Sequence, residues 1–466
     1  MNILLISPPQ WNAYGFPVRP VYPPLGLLQL AALLITEGHG VEFVDADADG
    51  VCISSLLANI RRSKPDLIGF TATTPTYPAA RQWAARIKAI SDSPLVIGGP
   101  HASALPRKVL EEGAFDYVVQ GEGEKTLMLL TDALSSNSSF RGIPGLWTTE
   151  STSVPPIDFL TEDELSALPL PAWNLLQTPY AYRPPDAAAT PVGTLAGTRG
   201  CPGTCRYCQA PSLAGRNVRY ISPRRIVEHA WHVHHTIGCR EIHLIDDCFT
   251  ANKRKALETI HLLTKSGPPV SYVFGNGVRA DMLDMELLEA LRNMGVHTLG
   301  LGVETANPSI ARAAGKPLDL RKINNVITTA HNMGFSIWAF FMLGLPGESD
   351  TSIATTIDFA CSLPLDVAKF EIFTPYPGTE LYTELMNRGY IIEHSWRKWG
   401  IHTRPVHRVD DMTTAEIMAS RQKAVLKFYL RPRLILHHLR KNRTPGGWAL
   451  NLSAFRFLIH TLIKTG

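Results

Sequence analysis

Three cysteines stand in the run Thr198-Arg-Gly-Cys201-Pro-Gly-Thr-Cys205-Arg-Tyr-Cys208, a CxxxCxxC spacing with two glycines. Such a loop brings three thiolates together, and thiolate is a soft ligand that selects iron–sulfur clusters, zinc or copper. Structural zinc wants four ligands, usually in two separated pairs. A [4Fe-4S] cube normally takes four cysteines, so Cys201, Cys205 and Cys208 alone leave one iron open to an exogenous ligand. Cys239 and Cys248 are candidates for a fourth ligand, but each falls in or beside the next βα unit. Together with Cys52 and Cys361 they read as small buried hydrophobes. His229, His232, His234 and His235 have the composition of a metal cluster, yet their spacing spreads them around a helix as a polar face.

Other polar and glycine-rich groups follow apolar runs at regular intervals. They are Asp246-Asp247, Gly275-Asn-Gly277-Val-Arg279, Glu304-Thr305 and Gly344-Leu-Pro346-Gly347. Taken singly they have bland explanations, since Asp at a strand end often caps a helix and Gly-Leu-Pro-Gly is turn chemistry.

The elements that must position these groups fall into two sets. Residues 2 to about 134 alternate short apolar runs with helical stretches, the pattern of βα units on a parallel sheet. Five strands are expected, at 3–6, 41–44, 67–70, 95–97 and 117–119, with helices such as 25–37 and 77–90. Ligands of a doubly wound sheet lie beyond the carboxyl ends of its strands. The loops there are Ser7-Pro8-Pro9, Asp45-Ala-Asp47, Thr71-Ala-Thr73-Thr74, Gly98-Gly99-Pro100-His101 and Gly121-Glu122-Gly123. Their small residues admit close backbone approach. No GxGxxG follows the first strand, which disfavours a dinucleotide and suits a bulkier ligand with many amide contacts.

Residues 136–189 turn rich in Ser, Pro, Gly and Thr and read as a linker or wrapping segment. Six further strands, at 192–196, 241–245, 271–274, 298–303, 337–343 and 367–373, suggest a partial (β/α) barrel over 190–385 with its chemistry at the strands' carboxyl ends. From 386 the chain is mainly helical and basic. The fold class is therefore α/β, a Rossmann-like doubly wound domain (1–135) followed by a (β/α)6 barrel and a helical extension (386–466).

A chain of 466 residues exceeds what one core usually serves. Hydrophobic residues at 45% and charged residues at 18% indicate an ordered globular protein. A net charge of +4 is too small to argue for nucleic acid. The charge is uneven, because no acidic residue follows Glu416 while ten basic residues do. An odd set of seven cysteines suggests a reducing compartment. With no charged n-region and no apolar run of roughly 18 residues, the cytoplasm is the expected location.

A CxxxCxxC loop directly after the first barrel strand, with glycine-rich and acidic motifs after the later strands, resembles the radical S-adenosylmethionine (SAM) superfamily over residues 190–385. The resemblance implies that the open iron of a [4Fe-4S] cluster chelates SAM and that an electron from the cluster cleaves its sulfonium. It also implies roles. Asp246 and Asp247 occupy the place of a Gly-Gly-Glu motif near the methionine amine, though the residues differ. Glu304 would face the ribose or methionyl group, Tyr207 would lie beside the cofactor, Gly344 to Pro346 would pack on adenine, and Arg279 would pair with a carboxylate. Asp247 and Glu304 are the candidate catalytic residues.

With the five-strand domain in front, and with Gly98-Gly99-Pro100-His101-Ala102 and Gln120-Gly-Glu-Gly-Glu124, nearly the whole chain resembles the cobalamin-binding radical SAM enzymes. Cobalamin would then contact Ser7, Pro8, Thr71, Thr73, Gly98, Gly99, His101, Gly121 and Glu122. No Asp-x-His-x-x-Gly motif supplies a cobalt ligand, so binding would rest on backbone contacts and packing. A methylthiotransferase would carry three further cysteines before the barrel, and only Cys52 is there. The family implies methyl transfer from methylcobalamin to an unactivated carbon, or alternatively oxidative cyclisation of a tetrapyrrole or other natural product. It further implies a small-molecule or natural-product substrate, a reductase, flavodoxin or ferredoxin as electron donor, and no nucleic acid. A carrier that has lost activity is the non-enzymatic alternative. The segment Trp448 to Ile463, with Phe455, Leu458 and Leu462 on one face, would suit either a helix packed on the barrel or peripheral contact with a membrane.

Overall fold

The computed structural model describes residues 1–10, 20–400 and 404–441. The tail segment from Trp448 lies outside the described residues. In the N-terminal half, strands β1 (Asn2–Ser7), β2 (Gly40–Asp45), β3 (Leu67–Thr71), β4 (Leu95–Gly98) and β5 (Tyr117–Val119) form a parallel sheet in the order β2-β1-β3-β4-β5. Its strands are nearly continuous apolar runs because helices cover both faces, as a parallel sheet requires. Leu5, Val96 and Val119 face helices Leu25–Thr36 and Glu124–Ser136, whereas Leu4, Ile68 and Ile97 face the opposite core. The chain reverses direction of winding between β1 and β3, and ligands of such sheets lie beyond the strand ends at that point.

A sixth strand was not foreseen. β6 (Leu146–Trp147) lies in the segment read as a linker and pairs antiparallel with β5, through Val118↔Trp147 and Val119↔Leu146. Two residues carry no periodicity for a sequence to display. What fixes them is tertiary, since the Trp147 indole donates to Gln120 Oε1 at 2.8 Å and both β6 side chains are buried.

The second half opens with β7 (Val192–Leu195). A short hairpin, β8 (Thr198–Arg199) with β9 (Arg219–Tyr220), brackets the cysteine loop. Next come β10 (Glu241–Leu244), β11 (Ser271–Phe274), β12 (Thr298–Glu304), β13 (Ser336–Leu343) and β14 (Val367–Ile372). Strands β7, β10 and β11 form one parallel group and β12, β13 and β14 another. Bridges Tyr272↔Val296 and Val278↔Leu301 stitch the groups into a six-strand open barrel. Along β13, Ile337, Ala339, Phe341 and Leu343 are buried under the outer helices, while Trp338, Phe340 and Met342 are half-exposed on the inner face.

Helix Thr414–Tyr429 opens with a Thr413/Glu416 capping box and lies on β14 and helix Asp350–Ser362, with Phe428 against Phe370 at 6.2 Å between ring centroids. The segment before it reaches the other domain, where Trp396 packs edge-on against His101. Among the described residues no helix is long and apolar enough to cross a membrane.

Candidate functional site

The cysteine loop is held from both ends. At its start, Asp246 accepts hydrogen bonds from the Gly197 N–H (2.9 Å) and the Thr198 hydroxyl (2.6 Å). Burial pushes its carboxyl up to about 7, against those donors. Asp246 thus anchors the start of β8 through one oxygen, while its other oxygen is buried with no hydrogen-bond partner among the described residues. Asp247 is its exposed neighbour. It accepts a hydrogen bond from the Gly200 N–H, and the surrounding protein raises its carboxyl above the ordinary range.

Further along, the loop is strapped to the turn after helix Pro308–Ala313. The Arg206 N–H reaches the Ala314 carbonyl at 3.0 Å and the Thr204 hydroxyl reaches the Gly315 carbonyl at 2.9 Å. A Cβ on Gly315 would lie 2.0 Å from the Thr204 carbonyl oxygen, at a φ of +75°. Only glycine permits that approach.

A Cβ at Gly203 would lie 3.3 Å from Cys201 Sγ and 3.7 Å from Cys205 Sγ, with the Arg279 guanidinium 3.4 Å away. The thiols therefore turn toward one side of the loop, with a cation beside them. A hydrogen bond from the Cys248 thiol lowers Cys201 to about 6, whereas burial pushes Cys208 up to about 11. This donor set fits an iron–sulfur cluster with three protein ligands. Among the described residues no three His, Cys, Asp or Glu side chains converge on a single metal ion. Arg279 is already paired within the chain, with Asp281 at 2.7 Å.

Glu304 closes the other side of the mouth. It ends β12 on a bulge, with φ +65°, a left-handed conformation that a side chain of its size rarely adopts. Its carboxylate meets the Lys316 ammonium at 2.7 Å, and Lys316 also donates to the Gly302 carbonyl at 2.9 Å. Tyr207 is pushed far up by burial first, then by the charge of Glu304 and by Cys205, which places it between cluster loop and carboxylate. Gly344 sits outside this group, its N–H on Glu348 at 2.7 Å and its carbonyl on His407 at 2.7 Å. Lys316, Asp281 and Arg199 were not singled out in the sequence.

The N-terminal loops meet the barrel across a mostly apolar cavity of about 450 Å³. Thr71, Gly98, Gly99, Gly121 and Glu122 line it, together with Leu5, Gly69, Val96 and Arg199. Ser7, Pro8, Thr73 and His101 do not. His101 is buried, stacked on Tyr77 at 4.1 Å and bonded to Thr74 at 3.2 Å. Burial lowers it to about 3, so its ring is a neutral part of the core. Gly99 has φ +89°, and a Cβ there would strike Thr71 Oγ1 at 2.6 Å.

Three of the four helix histidines find separate hydrogen-bond partners, and His235 packs on Trp231 at 5.0 Å between ring centroids. The Trp173 indole donates to His229 Nε2 at 3.1 Å, His232 meets the Pro171 carbonyl and His234 that of Cys239. His229 lines the cavity. Cys239 and Cys248 are buried as expected, but Cys52 is exposed beside Ser54, at the start of helix Ile53–Ser63, where no core reaches it.

Two arginines bind the halves together. Arg219 reaches Glu122 at 2.7 Å, and Arg199, two residues before Cys201, reaches Glu124 at 2.6 Å and Glu122 at 3.5 Å. Burial would raise the Glu124 carboxyl, but Arg199 holds it below the ordinary range.

A model of the B12 binding domain matches residues 12–131, and one of the Radical SAM superfamily matches residues 195–360. The uncharacterized methyltransferase PH0819 of Pyrococcus horikoshii is 32% identical over 441 residues, 94% of each chain. The anaerobic magnesium-protoporphyrin IX monomethyl ester cyclase of Cereibacter sphaeroides is 25% identical, over 93% of this chain and 71% of that one. In fold, the chain is similar to the radical SAM methyltransferase TsrM from Kitasatospora setae with cobalamin and [4Fe-4S] cluster bound. The TM-score is 0.69 at 19% identity, over 84% of this chain and 76% of that one.

Proposed function

The chain belongs to the cobalamin-dependent radical SAM methyltransferase family, and from that premise we propose that it methylates a carbon of a small molecule held in the barrel lumen. Bound together, the cluster and SAM supply a carbon-centred radical, and cobalamin supplies the methyl group. The observation that carries the reading is the seam itself. Arg199 and Arg219 tie the loop ends of the N-terminal sheet to the hairpin that brackets the cysteines, so the residues that would hold cobalamin and those that would hold the cluster are joined directly.

Each residue then has a task. Cys201, Cys205 and Cys208 hold the cluster, and the Arg279 guanidinium offsets its negative charge. Glu304, pre-neutralised by Lys316, accepts hydrogen bonds from the ribose or ammonium of SAM, while Tyr207 covers the cofactor from the loop side. Asp247 stands where it can take the methionyl ammonium. The glycines at 98, 99 and 121 would admit cobalamin close to backbone, and the apolar cavity they line would hold part of it. An external one-electron donor completes the system.

Anaerobically reconstituted protein with cobalamin, SAM and a strong reductant tests this, wild type beside Cys205→Ala. Wild type should give both 5′-deoxyadenosine and S-adenosylhomocysteine, and the variant should lose the first. Deoxyadenosine without S-adenosylhomocysteine would favour cyclase-type chemistry, and the absence of both products would leave the radical reading without support.

A further inference from the structure

Barrel cores are usually packed solid with branched side chains, but the inner face of β13 and β14 is not. Trp338, Phe340, Lys369 and Glu371 are half-exposed and alternate with buried neighbours that face the outer helices. The strand register sets Gly302, Phe340 and Lys369 side by side across β12, β13 and β14, one step below Glu304. The Phe340 ring fits against Gly277 and Gly300, where a Cβ would come within 3.4 and 3.0 Å of it.

Other charged groups of this surface are spoken for. Glu304 holds Lys316, Glu371 faces Arg421 at 4.0 Å, and deeper in the lumen Glu241 is shared by His243 and His297. Lys369 differs. Its ammonium lies over Trp338 and Phe340, 4.9 and 5.4 Å from the ring centroids, and among the described residues it has no carboxylate partner. Cation–π contact steadies such a charge without neutralising it. A half-exposed positive charge between flat apolar rings is complementary to an anion on a flat apolar body.

We infer that the methyl acceptor is an organic anion with a flat apolar body, whose charged group is bound by Lys369 and whose body lies along Trp338 and Phe340. This rests on the function proposed above. It places the anionic group one strand away from Phe340 and holds the reacting carbon nearer Glu304, on the SAM side. Lys369 is thereby a specificity-determining residue.

The test uses the cluster- and cobalamin-loaded chain under anaerobic conditions with two dyes that share one ring system, anionic 8-anilinonaphthalene-1-sulfonate and neutral N-phenyl-1-naphthylamine. Lys369→Gln should weaken the anionic dye about tenfold, the scale of one charge-assisted hydrogen bond, and leave the neutral dye unchanged. Lys369→Arg should restore the anionic dye. Equal loss of both dyes in Lys369→Gln, or loss of neither, would overturn the inference. Wild-type product analysis separates the two proposals. Deoxyadenosine formation with a dye response indifferent to Lys369 leaves the function and removes this site, whereas absence of both products removes the function whatever the dyes do.

Discussion

At the scale of single residues, the site depends on backbone conformations that ordinary side chains resist. Gly315→Ala would force a methyl group into the Thr204 carbonyl at a left-handed φ. It should cost at least about 1–3 kcal/mol and, because Thr204 lies between two cluster cysteines, lower the iron retained per chain on reconstitution. Glu304 takes a comparable strain and is stabilised by Lys316. Lys316→Met leaves that carboxylate without its cation, and SAM affinity measured by equilibrium dialysis should fall about tenfold, one charge-assisted contact's worth. An unchanged affinity would remove Lys316 from the cofactor site. The cysteines were legible because their spacing is local. Lys316 was not, since its partners Glu304 and Gly302 come within reach only once β12 and the helix after it have folded back on each other.

Among elements, what the sequence made plain were the strands, because apolar runs ending in glycine or acid mark a parallel sheet from within a short window. Eight-residue patterns such as β13's carry their inner and outer faces in the alternation itself. Two-residue β6 carries nothing of the kind, and the loop after β13 showed its turn residues but not the burial of the carboxyl that holds it. Glu348 holds that loop by accepting from Gly344 and Leu345, and burial pushes its carboxyl up from 4.5 to about 7. The folded chain therefore keeps a proton that the unfolded chain releases. This group's contribution to stability is complete below about pH 4.5 and is lost as pH rises through about 7. Glu348→Gln retains an acceptor and cannot titrate, so its melting temperature should decline less than wild type's between pH 4.5 and 7. Parallel curves would place the titration elsewhere.

For the whole molecule, the seam between the halves matters more than either half. Glu122 and Arg219 are nearly buried, with side-chain exposures of 6% and 12%. Removing one partner leaves a buried charge, and Glu122→Ala should cost about 3 kcal/mol. The double variant with Arg219→Ala should cost less than the two single losses combined, as a double-mutant cycle by urea unfolding would reveal. Additive losses would mean that the ion pair contributes no coupling. Neither partner was paired in the sequence, where 97 residues separate them. Glu122 and Glu124 belong to the first domain by chain order, yet their partners are in the second. A graft of this N-terminal domain onto another barrel, cut at the domain boundary, would carry two glutamates to a surface without their arginines. The interchangeable part is therefore not the domain but the lock with its key, residues 121–124 together with 199–219, and successful chimeras should be those that inherit both.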